Sequence, residues 1–175
     1  MENESIKTLL TRRSVRKFKP EHISEEEMEI ILEAGKFAPT GRGTQGTKFV
    51  VVRNQAVRDK LSAMNAEILG SDGDPYYGGQ DVIAVFANSA ASGTWVEDGA
   101  LALGNLMNAA HALGIGSCWI HRARQTFDSP EGRAMATAWG LPEGYEGVGY
   151  CILGYADCAA PQPKPRKDDF VIYVD

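Results

Sequence analysis

The stretch TWVEDGALALGNLMNAAHALGIGSCWI, residues 94–120, holds the chain's longest helical pattern and the turn that ends it. Thr94 and Glu97 have the spacing of a capping box, in which hydroxyl and carboxylate each satisfy a free backbone N–H at a helix start. The helix opened there runs to about Leu113. Gly114 ends it, because glycine takes the left-handed conformation of a helix C-terminus without steric cost. GSCWI then reads as a strand. Gly99, Ala100, Ala102, Gly104, Ala109 and Ala110 keep the helix slim, which permits close packing against another helix or a sheet.

Outward from this unit the pattern stays mixed. DVIAVFAN, residues 81–88, and KFVVVR, residues 48–53, are apolar runs that read as strands buried on both faces. Between them a helix is expected from about Ala56 to Leu69, with Val57, Leu61, Met64 and Ile68 turned inward. The Gly-rich residues 70–79 form a loop. Ser24 and Glu27 make a second capping box, whose acidic first turn suits a helix N-terminus. Met28, Ile31 and Leu32 are the buried stripe behind it, and Pro39 closes the segment. A first helix spans about Glu4 to Arg12, with Ile6, Leu9 and Leu10 at helical spacing. Downstream, Ser129 and Pro130 are N-cap and first helical residue of a short helix. GVGYCILGY, residues 147–155, is a strand, and FVIYV, residues 170–174, is a last strand with nothing to cover it. The fold class is therefore α/β (α+β): a sheet of four or five strands with helices on it, in one domain over residues 1–175.

The totals bound the function. The chain has 175 residues, 43% of them hydrophobic, and a formal net charge of −5. A pI near 5.3 argues against a protein that coats nucleic acid. No run approaches the ~18 apolar residues of a membrane span. The N-terminus is polar and lacks a signal-peptide core. Cys118, Cys151 and Cys158 are odd in number and make no Cys-x-x-Cys pair, so reduced thiols in a cytoplasmic protein are expected. His22, His111 and His121 have no metal-ligand spacing. His111 belongs to a helix surface or its packing, and Cys118 reads as a plain buried thiol.

Gly41-x-Gly43-x-x-Gly46 fits the dinucleotide-binding fingerprint letter by letter, but its context rejects it. The fingerprint follows a strand and opens a helix, whereas this loop follows a helix and opens a strand. A P-loop fails as well, since Thr47 stands where lysine is required.

TRRSVRKF, residues 11–18, concentrates cations in an acidic chain. In an extended segment Arg12, Ser14 and Arg16 share one side, with Arg13 and Val15 on the other. One face thus offers cation, hydroxyl, cation, which suits a phosphate monoester. By itself the segment fits a solvated patch at a helix C-terminus slightly better. PKPRK, residues 163–167, repeats the pattern with Lys164 and Arg166, held extended by prolines. Convergence of the two segments requires an anion between them.

In order and interval, several segments resemble the nitroreductase family of FMN-dependent oxidoreductases, in its short form. TRRSVRKF is similar to that family's opening Arg-Arg-Ser-x-Arg segment. AGKFAPTGRGTQGTKFVVV, residues 34–52, resembles its Ala-Pro-Ser-x-x-Asn-x-Gln-Pro-Trp segment before a strand. Residues 97–120 resemble its central helix and Gly-x-Gly-Ser turn, and CILGYAD with PKPRK its closing strand and basic tail. The resemblance implies a mostly antiparallel central sheet whose C-terminal strand is exchanged in a homodimer. It also implies FMN as cofactor, with NADH or NADPH as donor and a small-molecule acceptor such as a nitroaromatic or quinone. Neither nucleic acid nor membrane is an expected partner.

The resemblance assigns the FMN phosphate and ribityl chain to Arg12, Ser14, Arg16, Lys164 and Arg166, with Arg13 close by. Thr40, Gly43 and Gln45 correspond to the residues along ribityl and ring; Gly43 lacks the family's Asn side chain, and Gly46 and Thr47 replace Pro-Trp. Gly116 and Ser117 either bring backbone amides to the ring or simply begin a strand. Tyr76 and Tyr77 either line the pocket mouth or pack within their loop. The reaction expected is ping-pong electron transfer. The alternatives are a flavin dehydrogenase for another small unsaturated substrate and a non-catalytic flavin-binding protein.

Overall fold

A computed structural model describes residues 3–174. In chain order the elements are α1 (Glu4–Thr11), α2 (Glu25–Lys36), a single 3-10 turn (Gly41–Gly43), β1 (Thr47–Val52), α3 (Gln55–Leu69), β2 (Asp81–Asn88), α4 (Trp95–Ala112), β3 (Gly116–Ile120), α5 (Ala123–Asp128), α6 (Pro130–Ala138) and β4 (Tyr145–Gly154). The four strands form one sheet in the order β1-β2-β4-β3, every neighbouring pair antiparallel. The central strands β2 and β4 are buried along nearly their whole length, as continuous apolar runs require.

Alternate side chains of these strands feed two apolar layers. On one face Val82, Ala84, Phe86, Tyr150 and Ile152 pack with Leu61 of α3, Phe127 of α5, and Val15 and Phe18 of the basic segment. On the other, Ile83, Val85, Cys151 and Leu153 pack with Met28 and Ile31 of α2 and Leu103, Leu106 and Met107 of α4. The small residues of α4 serve this second layer. A Cβ on Gly99 would press on Val148, and one on Gly35 of α2 would lie 2.6 Å from Leu106 Cδ2. The Ser24–Glu27 capping box forms at α2, and Ser129 with Pro130 opens α6. Gly114, at φ 77°, ends α4.

Several expectations are corrected. β1 is an edge strand, and only Val52 of its six residues is fully buried. α3 is rotated about its axis: Arg58, Leu61, Ser62 and Asn65 face inward, whereas Ile68 is exposed. The rotation has a polar cause. Arg58 Nε donates to the Gly79 carbonyl, Ser62 Oγ to Asp74, and Asn65 Nδ2 to the His121 carbonyl, so the helix ties down two loops through its inner face. Thr94 and Glu97 form no capping box. The Thr94 hydroxyl turns to Asp98 Oδ1 and Ser92 Oγ instead. α5 was not anticipated; it begins after Arg122, which takes a left-handed conformation and donates to Asn65 Oδ1. Residues 170–174 form no strand within the single chain and are exposed, as is the Ile6, Leu9 and Leu10 stripe of α1.

Candidate functional site

The basic segment starts where α1 stops. Arg12 leaves the helix with φ −56° and ψ 133°, its N–H still bonded to the Thr8 carbonyl at 3.0 Å. The chain then runs beside the outer edge of β3. Ser14 bridges to Ser117, and the Val15 N–H donates to the Ser117 carbonyl at 3.0 Å. Next it meets the exit of β4: Lys19 N–H bonds the Tyr155 carbonyl, and Asp157 N–H the Lys17 carbonyl. Val15 and Phe18 anchor this path in the core. Gly116 accommodates it, because a Cβ there would crowd Val15 and the Gly154 carbonyl.

The same pairing that holds residues 14–19 fixes the root of the C-terminal tail. The tail returns across the basic segment, and Pro161, Gln162, Pro163, Lys164 and Arg166 join Arg12, Arg13, Ser14 and Arg16 around an open pocket of about 420 Å³. Five cations from the two ends of the chain therefore surround one cavity that no carboxylate lines. Among the described residues none of the five makes an ion pair. Arg12 Nη1, Arg13 Nε and Ser117 Oγ are buried without a hydrogen-bond partner. An uncompensated cluster of like charge is costly, and an anion bound among the five cations offsets that repulsion.

Arg13 lines the pocket with its neighbours, so the strict alternation expected from residue 12 onward does not hold. Arg12 is still the helix C-cap, and extended pairing begins only at Ser14. Gln162 and the flanking prolines were not singled out in sequence; only their proline-held extension beside Lys164 hinted at them. Gly116 and Ser117 stand at the start of β3 against Ser14 and Val15, outside the lining itself.

Thr40, Gly43 and Gln45 do not line the arginine pocket within one chain. Their loop is built rigidly. Thr40 Oγ1 accepts the Gln45 N–H at 2.9 Å, and the buried Asp98 of α4 accepts the Gly41 N–H at 2.8 Å. Arg42, Gly43 and Gln45 all have positive φ, which glycine tolerates and the other two adopt at some cost. Gln45 and Thr47 edge a separate groove of about 600 Å³ along β1, floored by Leu32, Phe49, Trp139 and Leu141.

Tyr76 is core, its ring centroid 5.4 Å from that of Tyr150, while Tyr77 sits partly exposed in a left-handed turn. Cys118 is buried, and that burial raises its thiol pKa against the opposing pull of Arg16, Ser14 and Arg12. His111 of α4 meets Thr11 of α1, Nε2 to Oγ1, at 2.8 Å. Among the described residues no cluster of potential metal ligands occurs, and no helix is long and apolar enough to cross a membrane.

A mixed antiparallel α/β layer with two basic chain segments meeting at its edge defines a class. A model of the nitroreductase family matches residues 9–76 and 75–155. The chain belongs to the nitroreductase family of oxidoreductases. It is 31% identical over 170 residues to a putative NADH dehydrogenase/NAD(P)H nitroreductase of Archaeoglobus fulgidus, covering 94% of this chain and 88% of that one. Among solved structures it resembles a nitroreductase with bound FMN from Bacteroides fragilis, with TM-score 0.90, 30% identity, and 99% and 100% of the two chains covered. A second FMN-bound nitroreductase, from Desulfitobacterium hafniense, superposes with TM-score 0.89 at 27% identity over the full length of both chains.

Proposed function

We propose that the protein is a cytoplasmic, single-domain, FMN-dependent oxidoreductase that moves electrons from NADH or NADPH to a small acceptor such as a nitroaromatic or quinone. The observation that carries this reading is the meeting of Arg12, Arg13, Arg16, Lys164 and Arg166 around one pocket with no carboxylate. The residues present fit a phosphate monoester: planar guanidinium forks, one ammonium, the Ser14 hydroxyl, and the unpartnered Arg12 Nη1.

FMN, held by these residues, would supply the redox chemistry between a nicotinamide donor and the acceptor. The chain's own part is placement and field. Arg12, Ser14, Arg16, Lys164 and Arg166 would hold the phosphate and its ribityl end. Gly116 and Ser117, whose strand edge the basic segment borders, are proposed to face the ring. Thr40, Gly43 and Gln45 are proposed to reach it from a second subunit, which accounts for their absence from the arginine pocket of one chain. The cationic surroundings favour added negative charge on the bound group. Donor and acceptor occupy one site in turn, giving ping-pong kinetics.

The homodimer has support from three exposed apolar features: the Ile6, Leu9 and Leu10 stripe of α1, the side chains of residues 170–174, and the free edge of β1. The outer edge of β3 is already bordered by residues 14 and 15, so β1 is the edge left for a partner's residues 170–174 to extend. Anaerobic reduction tests the proposal as a whole. The purified protein is expected to carry yellow flavin absorbance, to bleach with NADH or NADPH, and to regain colour with a quinone or nitroaromatic. Flavin that neither nucleotide bleaches would reduce the protein to a flavin binder. Deletion of residues 170–174 is expected to give monomers that lose FMN, read by light scattering and fluorescence.

A further inference from the structure

α1 carries the cations of the pocket at its C-terminal end, yet it buries no residue of its own. Among the described residues a single side-chain hydrogen bond ties it to another element, from His111 Nε2 of α4 to Thr11 Oγ1. The Thr11 hydroxyl has one proton, and it donates that proton to the Lys7 carbonyl at 2.7 Å. It therefore accepts from His111, whose Nε2 carries the hydrogen, and the remaining ring nitrogen is left to take up a proton. The two residues that follow depend on this turn. Arg12 N–H is bonded to Thr8, and Arg13 Nη1 folds back onto the carbonyls of Leu10, at 2.9 Å, and Arg12, at 2.7 Å.

We propose that His111 is a positioning residue of the phosphate pocket: through Thr11 it locks the last turn of α1 on α4, so fixing Arg12 and Arg13, and its protonation is coupled to occupancy of the pocket by a dianion. The inference rests on the reading of the arginine pocket as a phosphate site.

The coupling follows from what faces the imidazole. From the segment after α1 the charged groups are Arg12 and Arg13. α4 itself carries charged side chains only at Glu97 and Asp98, at its opposite end. Burial, then the Arg12 and Arg13 guanidiniums, hold the imidazole pKa below the ordinary histidine range. A dianion between those arginines offsets their field, so the pKa rises on binding. By linkage, protonated His111 strengthens anion binding as pH falls from the bound-state pKa to the free-state pKa, with no further gain below it. Protonation keeps the Nε2–H donor, so the lock persists and only charge changes.

The test uses the full chain with FMN and, separately, sulfate, which stays a dianion while the FMN phosphate takes up a proton near pH ~6. Wild-type protein is expected to bind sulfate about threefold to tenfold more tightly at pH 5.5 than at pH 8, the size of a solvent-screened attraction between an imidazolium and a dianion. Histidine NMR of the same protein should show the His111 pKa rising when sulfate or FMN is added. His111→Gln, whose amide N–H replaces the Nε2–H, is expected to keep FMN affinity at pH 8 within about twofold and to lose the sulfate pH dependence. His111→Ala and Thr11→Val are expected to weaken FMN about fivefold at pH 8, the size of one hydrogen bond. Wild-type FMN binding with an unmoved His111 pKa, or unchanged affinity in both Ala and Val variants, overturns this inference and leaves the phosphate site standing. A wild-type chain that binds neither FMN nor sulfate overturns both.

Discussion

The carboxylate of Asp81, wholly buried at the first residue of β2, lies 2.9 Å from Nε of Arg53, the residue after β1. The same carboxylate takes the Ile23 N–H at 2.8 Å and faces His22 Nδ1 at 3.0 Å. Arg53 in turn donates to the Ile23 carbonyl. One buried charge thereby joins the sheet to the segment that leads into α2. Asp81→Ala leaves the Arg53 guanidinium and the Ile23 amide without their shared acceptor. It is expected to lower unfolding stability by about 3 kcal/mol, as removal of one partner of a buried pair does. Urea denaturation checks this, and a loss under ~0.5 kcal/mol would mean water replaces the carboxylate.

Asp74 gives a pH dependence with a definite sign. Partial burial alone would raise its pKa, but hydrogen bonds from Arg58, Ser62, and the Gly78 and Tyr76 N–H groups outweigh that and hold it below the ordinary aspartate range. A depressed folded-state pKa contributes stability that is present above the unfolded pKa and lost as pH falls through the folded one. Thermal unfolding followed downward from pH ~5 should therefore show a decline that Asp74→Asn shrinks. An identical slope in both proteins would show that other carboxylates govern acid unfolding.

For the proposed phosphate pocket, Arg16→Ala is expected to weaken FMN by about 1.5–3 kcal/mol, roughly tenfold to a hundredfold, the worth of a charge-assisted hydrogen bond. Arg16 is exposed, so the fold should be unaffected. Fluorescence titration with FMN reads the change directly, and equal affinity in the variant would remove Arg16 from the site.

The cysteines divide by exposure. Cys158 is exposed, whereas burial drives the thiol pKa of Cys118 and Cys151 upward. Thiolate is the reactive form, so native protein at pH 8 is expected to take up iodoacetamide at Cys158 alone. Peptide mass mapping after labelling distinguishes the sites, and fast modification of Cys118 would mean that β3 opens locally.

Much of the fold is legible residue by residue. Gly114 ends α4 and the Ser24–Glu27 box opens α2, since each rests on interactions among near neighbours in sequence, and the apolar runs within β2 and β4 carry the composition of strands buried on both faces. What failed lay between elements. The apolar stripe of α3 is locally reasonable, but Asp74, Gly79 and His121 pull its polar side inward. KFVVVR is apolar enough for a sheet interior, yet strand order leaves it at the edge. Thr94 abandoned its cap because Asp98, turned toward Gly41, offered a second acceptor.

The candidate site divides in the same way. Sequence determined which residues are cationic and that an acidic chain keeps those charges local. Only the tertiary structure decided that they meet: the pairing of residues 14–19 with the ends of β3 and β4 brings positions some 150 apart in the chain to one pocket. Proximity of that kind is set by strand order and backbone pairing, which have no signature in the local pattern of side chains. The contact between Thr11 and His111 arises for the same reason, from how α1 lies on α4.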